Sequence, residues 1–463
     1  MAEEFDVVVL GGGPGGYAAA LYGAAAGLNV AMVEASRVGG TCLHRGCIPA
    51  KELLQTAEVF RTAKNAAEFG VSVGEARVDL LISQQRKHRV IDRLAKGLEG
   101  LLKQRKVTVY SGRGTVIDAS QHAVRLEDGT EIRGTQGLII ATGSSPRSLP
   151  ELAFNGSTVL SSDHVLELTQ RPNRLAIIGG GAIGCEFASL FAELGSKVTI
   201  IEALPNLLNG CDADAANVVV RAFKKRGIDS VTSARVRAIH QVGAALDVEF
   251  EVNGATLNLE VDSLIVSVGR APNTEGIGLE GSGVVVNDRG FIEVSPWCET
   301  AVEGVYAVGD VVGTPQLAHV AFAEAIVAIK SIIGEDVEPV DYDKVPWGIY
   351  CHPEVAFCGL TEAAAREQGL DVEISKHSFA GNGRALIIGE SDGIVKIIAQ
   401  KDGPIVGVHI AGPWATELIA EGYLSVNWEA TPADLGSLIH AHPTLSELFG
   451  ESALALTGRG LHG

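Results

Sequence analysis

Two cysteines stand five positions apart in Gly39-Gly40-Thr41-Cys42-Leu43-His44-Arg45-Gly46-Cys47-Ile48-Pro49-Ala50-Lys51. A disulfide needs Cα atoms within about 7 Å, which a regular helix exceeds at this separation, so the turn between them must be distorted. Gly46 and Pro49 permit that distortion. Cys47 precedes Ile48 to Val59, a stretch of helical periodicity. A thiolate at a helix N-terminus is stabilised by the positive end of the dipole and would persist near neutral pH. The chemistry open to such a pair is thiol–disulfide exchange. Zinc is the competing reading, but one pair with no second cysteine or histidine pair at ligand spacing leaves the coordination incomplete, so no metal is expected. Cys185, Cys211, Cys298, Cys351 and Cys358 share no spacing. They read as small buried hydrophobes.

The elements that position this pair begin with an internal repeat. Each copy has an apolar strand, a glycine-rich turn, an alanine-rich helix and a second apolar strand ending in glutamate. The first copy runs from Phe5 through Gly11, Gly13 and Gly16 to Glu34, and the second from Leu175 through Gly179, Gly181 and Gly184 to Glu202. In both, the glutamate follows the first glycine by 23 positions. That distance lets the tip of the second strand return beside the first turn. The first glycine then permits the tight turn, the second lets a pyrophosphate approach, and the third allows helix and strand to pack closely. Helix N-terminal amides hold the phosphate charge, and the carboxylate accepts hydrogen bonds from an adenosine ribose. A lone glycine triplet is weak evidence; strand, helix and distal acid together, found twice, are much stronger. Glu202 repels a 2′-phosphate, and no arginine occurs from Ala203 to Cys211 to welcome one, so the second site is expected to prefer NAD over NADP. The first site holds the partner electron carrier.

The whole chain fits a protein built on such sites. Its 463 residues imply about three or four folded units. The 56 glycines imply many tight turns. With 37 basic against 56 acidic residues the formal charge is −19, which disfavours nucleic acid as a partner. The opening residues are acidic and the apolar run after them is too short for a membrane span, so a cytoplasmic protein without a membrane partner is expected. That compartment keeps thiols reduced, so any disulfide here should be catalytic.

Val107 to Leu126 and Glu131 to Ile140 read as short strands closing at Ala141-Thr142-Gly143, and a linker follows through Pro146 and Pro150. Further buried strands are expected at Leu264 to Val268, before Gly269-Arg270-Ala271-Pro272, and at Val305 to Val308, before Gly309-Asp310. From about Asp341 the polarity alternates differently, with strands at Val395 to Ala399 and Ile405 to Ile410, and a separate domain is expected. The boundaries are 1–148, 149–268, 269–340 and 341–463. The fold class is α/β, with two Rossmann-like dinucleotide-binding domains and a C-terminal α+β domain. Near the end, His442 and Glu447 lie at the start of a short helix expected to begin near Thr444. Thr444-x-x-Glu447 alone reads as a capping box, entered through Pro443.

With these motifs in place, the sequence resembles the pyridine nucleotide–disulfide oxidoreductases, most closely their dihydrolipoamide dehydrogenase branch. The likeness rests on Gly-Gly-Thr-Cys-Leu-His-Arg-Gly-Cys-Ile-Pro, the second fingerprint Gly179 to Glu186, Ser267-Val-Gly-Arg-Ala-Pro-Asn273, Tyr306-Ala-Val-Gly-Asp310 and His440-Ala-His-Pro-Thr-Leu-Ser-Glu447. It implies that 1–148 opens the FAD-binding domain, that 149–268 binds NAD, that 269–340 completes the FAD site and that 341–463 is a dimerisation domain. It further implies that Gly11, Gly13, Gly16 and Glu34 bind FAD, with Lys51 beside the flavin and Asp310 on its ribityl chain. Main-chain groups at Gly114, at Thr142, Gly143 and Ser144, and at Leu317, Ala318 and His319 would complete the flavin site. Gly40, Thr41, Val236 and Gly269 join the cofactor-binding set, and Lys51 is expected to pair with Glu186; the plain alternative is a solvated lysine. Ala50 departs from the serine or threonine usual at its position.

The resemblance also reverses the capping reading. It makes His442 the general base, oriented by Glu447 and facing the disulfide of the other subunit, with a cis His-Pro bond and with Leu445 to Ala453 in the dimer interface. His440 then reads as structural. The implied reaction is oxidation of protein-bound dihydrolipoyl groups through Cys42 and Cys47, FAD and NAD, by a homodimer serving lipoyl-bearing domains of 2-oxo acid dehydrogenase or glycine-cleavage complexes. Glutathione or mercuric reductases are the alternatives within the class, though both usually favour NADP. A noncatalytic flavoprotein subunit is the alternative outside it.

Overall fold

The structure, a computed structural model, describes residues 2–150 and 152–462. The chain forms two compact units, each discontinuous in sequence. One comprises the chain up to Leu53, Leu81–Arg147 and Gly269–Tyr342; the other comprises Leu54–Leu80, Ser148–Val268 and the chain from Asp343.

In the first unit a parallel sheet runs in the order Thr108–Ser111, Val30–Glu34, Glu3–Leu10, Glu131–Ile140. Val305–Ala307 adds in parallel to the C-terminal end of Glu131–Ile140. The antiparallel strands Ala123–Leu126 and Gly114–Asp118 branch from that strand's beginning. Alternation decides the layering. Val8, Leu10, Ala31, Val33, Leu138 and Ile140 enter one core, while Val7, Val9, Val30, Met32 and Ile139 enter another with the helices Pro14–Ala25 and Ala318–Ile332. Burial on both faces is why these strands read as unbroken apolar runs.

The second unit repeats the order: Asp229–Val231, Lys197–Ile201, Arg174–Ile178, Ser263–Val266 and Val159–Leu160, all parallel. An antiparallel sheet of Ala234–Val242, Ala245–Val252 and Ala255–Val261 follows. The α+β portion is an antiparallel sheet ordered Trp347–Ile349, Glu354–Gly359, Ile405–Gly412, Ile394–Gln400, Val372–Ser378, packed with the helices Ala415–Asn427 and Glu447–Leu456. Among the described residues no helix is long and apolar enough to cross a membrane.

The second unit also carries a pH-sensitive group. Arg226 donates to Ser189 Oγ (3.0 Å) and to the carbonyl of His352 (2.8 Å), and it pairs with Glu193 at 2.9 Å. Burial, with the charges of Arg61 and Arg226, pushes the His352 imidazole down to about 3. The unfolded chain therefore takes up a proton near pH 6.5 that the folded chain refuses until about pH 3. The contribution to stability is full above the unfolded value and is lost as pH falls through that window, by at most about 1.4 kcal/mol per pH unit. Urea unfolding at stepped pH should show this decline, and His352→Asn should make it shallower.

Candidate active site

The two glycine fingerprints have the same local construction. A Cβ at Gly11 would lie 2.3 Å from the Ala141 carbonyl oxygen, and one at Gly16 would lie 1.8 Å from the Gly11 oxygen. At Gly179 and Gly184 the corresponding distances are 2.4 Å to the Ser267 oxygen and 2.0 Å to the Gly179 oxygen. Packing thus demands the first and third glycines. It does not demand the middle ones. A Cβ at Gly13 meets only Gly40 Cα at 3.9 Å, and one at Gly181 meets nothing within 4 Å. These residues cap the helices Pro14–Ala25 and Ala182–Glu193 and offer no side chain to their first-turn N–H groups. The open space over two such helix starts fits a dinucleotide pyrophosphate.

The distal acids brace the same loops. Glu34 accepts from the N–H groups of Gly12 and Ser36, both at 2.7 Å. Glu202 accepts from Gly180 (2.5 Å) and Leu204 (2.7 Å). Each carboxylate is fixed beside its turn, with lone pairs left for a ribose.

The cysteine segment docks on the first of these loops. Gly39 donates to the Gly12 carbonyl at 2.8 Å, and a Cβ at Gly40 would reach 2.6 Å from Gly13 Cα. Helix Gly40–Arg45, carrying Thr41 and Cys42, breaks at Gly46 (φ −147°, ψ −108°), and Cys47 is the first residue of helix Cys47–Asn65. The break brings the two thiols together. Cys42 is hydrogen-bonded to Cys47, and that bond, then burial and the Cys47 charge, hold its thiol well above the usual range, while the Lys51 ammonium opposes them. Cys42 is half-buried and Cys47 exposed. Tyr17, which sequence reasoning did not single out, lies close enough that burial and then the two sulfurs push its phenol up to about 12. His44 anchors the short helix on the Val38 carbonyl at 2.8 Å. Cys185, Cys298, Cys351 and Cys358 are buried and Cys211 is half-buried.

Asp310 sits at a junction within the same unit. Ser144 Oγ donates to its Oδ2 at 2.5 Å, and Arg270 Nε lies 3.5 Å from that oxygen and 2.6 Å from Ser144 Oγ. Arg270 and Asn273 fix the flanking turn. The Thr142 carbonyl accepts from Asn273 Nδ2 (2.9 Å), the Gly143 carbonyl from the Asn273 N–H (2.9 Å), and the Ser144 carbonyl from Arg270 Nη2 (2.7 Å). Neither residue was singled out from sequence, although both stand in the quoted Ser267–Asn273 motif. Leu317 precedes the helix Ala318–Ile332, and His319 is exposed in its first turn. Gly114 is a glycine for packing: a Cβ there would strike Leu10 at 2.7 Å.

In the second unit Glu186 is buried and accepts from the Tyr350 N–H at 2.9 Å. Gly269, in the first unit, has φ +103°. Val236, half-buried in Ala234–Val242, packs on the apolar cluster beside the parallel sheet.

The histidine and glutamate near the C-terminus do meet. Glu447 Oε1 lies 2.7 Å from His442 Nδ1, and Oε2 accepts from the Thr444 N–H at 2.7 Å. Orientation of the ring and half of a capping box therefore coexist, one oxygen to each. The other half is missing because Thr444 Oγ1 donates to the Ala441 carbonyl. For the same reason the helix starts at Glu447 rather than near Thr444. The His442–Pro443 bond is cis, as is His352–Pro353. Burial raises the Glu447 carboxyl, but Thr444 and His442 outweigh it and the net shift is downward. With Nδ1–H donated to an ionised glutamate, Nε2 is left as the basic nitrogen. The His442 side chain is 80% exposed. His440 is instead tucked in, 2.7 Å from Glu421. The apolar side chains of Leu445–Ala453 do not face outward: Leu445, Leu448, Phe449 and Ala453 are 0–4% exposed in the core of their own unit. Leu438 (57%) and Ile439 (98%), a few positions earlier, are exposed.

A reducible sulfur pair docked on a dinucleotide turn, with a second such turn in the chain, defines a class. Residues 5–325 match the pyridine nucleotide–disulphide oxidoreductases and residues 345–453 match their dimerisation domain, so the chain belongs to this family. It is 43% identical to a dihydrolipoyl dehydrogenase of Bacillus subtilis, with 100% of both chains covered. An enzyme of the same description from Cupriavidus necator is 38% identical, again over 100% of both. Among solved structures, LpdA from Mycobacterium tuberculosis is 27% identical with a TM-score of 0.91, covering 98% of this chain and 100% of that one. The HOCl-induced flavoprotein disulfide reductase RclA from Escherichia coli is 29% identical with a TM-score of 0.86, covering 97% and 99%.

Proposed function

We propose that the chain oxidises dihydrolipoyl groups to lipoyl disulfide with NAD⁺ as final acceptor, as a cytoplasmic homodimer. The observation that carries this reading is the Cys42–Cys47 contact across the helix break, docked on the first fingerprint. In the proposed reaction the two sulfurs start as a disulfide. Nε2 of His442 from a second copy takes a proton from one substrate thiol, and the thiolate attacks Cys42 Sγ, breaking the Cys42–Cys47 bond and leaving Cys47 as thiolate. His442, its first proton released to solvent, takes the proton of the second substrate thiol, whose thiolate attacks the mixed disulfide; Cys42 leaves as thiolate and the substrate departs as a cyclic disulfide. Two electrons now reside on the Cys42–Cys47 pair. A thiolate is the competent nucleophile at both steps, which is the reason for the base.

Gly11, Gly13, Gly16, Glu34, Gly40, Thr41, Lys51, Gly114, Thr142, Gly143, Ser144, Asp310, Leu317, Ala318 and His319 would hold FAD. Gly179, Gly181, Gly184, Glu186, Glu202 and Val236 would serve NAD. When bound, the flavin supplies the two-electron exchange between sulfur and nicotinamide. Lys51 stabilises negative charge on Cys42, as its opposing effect on that thiol indicates. The apolar Leu438–Ile439 surface next to His442 supports a face for the second copy. Lipoyl-bearing domains of 2-oxo acid dehydrogenase or glycine-cleavage complexes are the expected partners.

Anaerobic titration of the holoenzyme in parallel tests this reading. Dihydrolipoamide should bleach the flavin and glutathione should not; bleaching by glutathione would overturn the substrate class. The NAD preference has its own test, because Glu202 acts by charge. Glu202→Gln keeps one backbone acceptor but removes the repulsion of a 2′-phosphate, so the ratio of kcat/KM for NAD over NADP should fall by roughly tenfold or more.

A further inference from the structure

Glu324 lies in the middle of the helix Ala318–Ile332 and is 0% exposed. Its two oxygens accept three hydrogen bonds. Oε2 takes the Gly309 N–H at 2.6 Å; Oε1 takes Thr314 Oγ1 at 2.7 Å and Tyr342 OH at 2.9 Å. Gly309 is in the left-handed region (φ +77°) and opens the turn Gly309–Val311 that carries Asp310. One buried carboxylate thus fastens three segments: the Asp310 turn, the loop at Thr314 that leads into Leu317 and the helix start, and the segment at Tyr342.

We propose that Glu324 is a positioning residue for FAD, acting through Gly309 to set the Asp310 carboxylate against Ser144 and Arg270. The inference rests on the reading of Asp310 as an FAD ligand. A buried carboxylate costs stability unless it is fully hydrogen-bonded, and an apolar side chain would fill this place in the helix at lower cost. Burial, and in smaller part the Asp310 charge, raise the Glu324 carboxyl; the three donors oppose them, and the net shift is upward. The Gly309 N–H, Thr314 Oγ1 and Tyr342 OH together match its two buried oxygens. The arrangement is understandable if the turn must be held in one place for a ligand.

The test is the dissociation constant of FAD from full-length holoenzyme, read from flavin fluorescence released on serial dilution. Glu324→Ala should weaken FAD binding by about tenfold or more, through loss of a hydrogen bond worth about a factor of ten or more in this setting. Glu324→Gln retains an acceptor for Gly309, and the two hydroxyls can rotate to accept from its amide, so binding should stay within about threefold. Asp310→Ala should weaken binding as well, and the double variant Asp310→Ala with Glu324→Ala should be no weaker than Asp310→Ala alone. Additive losses in the double variant, which a merely structural role would give, overturn the proposal, as does wild-type affinity in Glu324→Ala. Wild-type affinity in Asp310→Ala instead removes the FAD reading of Asp310 on which the proposal stands. Should Glu324→Ala fail to fold, Glu324→Met fills the same place in the helix without an acceptor for the Gly309 N–H; unchanged FAD affinity there overturns the proposal.

Discussion

Cys42→Ser and Cys47→Ser should each reduce dihydrolipoamide oxidation to below about one part in 10³ of the parent rate while the protein remains yellow. Serine is nearly isosteric, and the helix break at Gly46 that positions the pair does not depend on sulfur, so folding should survive. What is lost is exchange itself. An alkoxide is inaccessible at neutral pH, and oxygen forms no bond that a substrate thiolate could break and remake. Reduction of a quinone dye by NADH bypasses the sulfurs and should persist in both variants. Loss of both activities would indicate damage to the dinucleotide sites, and retention of dithiol oxidation would contradict the mechanism. A noncatalytic docking subunit would show no change in either variant.

His442→Ala should cost roughly 10² to 10⁴ in kcat for dihydrolipoamide, the range for removal of a general base. Glu447→Gln should cost less, because an amide still offers one acceptor but must give up either the ring or the Thr444 N–H, each 2.7 Å away. The larger claim is that the base and the sulfurs of one site come from two chains. In a two-fold dimer, a hybrid of Cys42→Ser and His442→Ala protomers has one site lacking both groups and one site with both intact. Random reassembly of the two inactive proteins should therefore restore about a quarter of the parent turnover, since about half the dimers are hybrids and each has one working site. No restored activity in a verified hybrid would place the base and the sulfurs in a single chain.

Parts of this arrangement are legible in the sequence because the backbone forces them. The tight turn at Gly11 and the close packing at Gly16 are legible because a methyl group at either collides with a main-chain oxygen, and the repeat at Gly179 and Gly184 obeys the same constraint. The break between Cys42 and Cys47 was equally readable, since five residues of unbroken helix would hold the sulfurs apart. Side chains that act once, without a period, left no such trace. Arg270 and Asn273 are single polar residues far along the chain from what they hold, and the Glu324 contact to Gly309 closes a turn that only the folded helix brings round. The helix start at Glu447 was misplaced for a related reason. Thr444 carries the right side chain for a cap, but its hydroxyl is claimed by Ala441, three residues back. Within Leu445 to Ala453 the apolar side chains complete their own sheet's core, while Leu438 and Ile439, a few positions earlier, are exposed.

The central claim is tested most directly by mapping which thiols appear when substrate reduces the enzyme. Oxidised holoenzyme, its accessible thiols first blocked, would receive one equivalent of dihydrolipoamide without oxygen, then a second alkylating label, and be digested for mass spectrometry. The second label should appear on Cys42 and Cys47 together and on no other cysteine. Its appearance on any of the remaining five, or on neither member of the pair, would contradict the account.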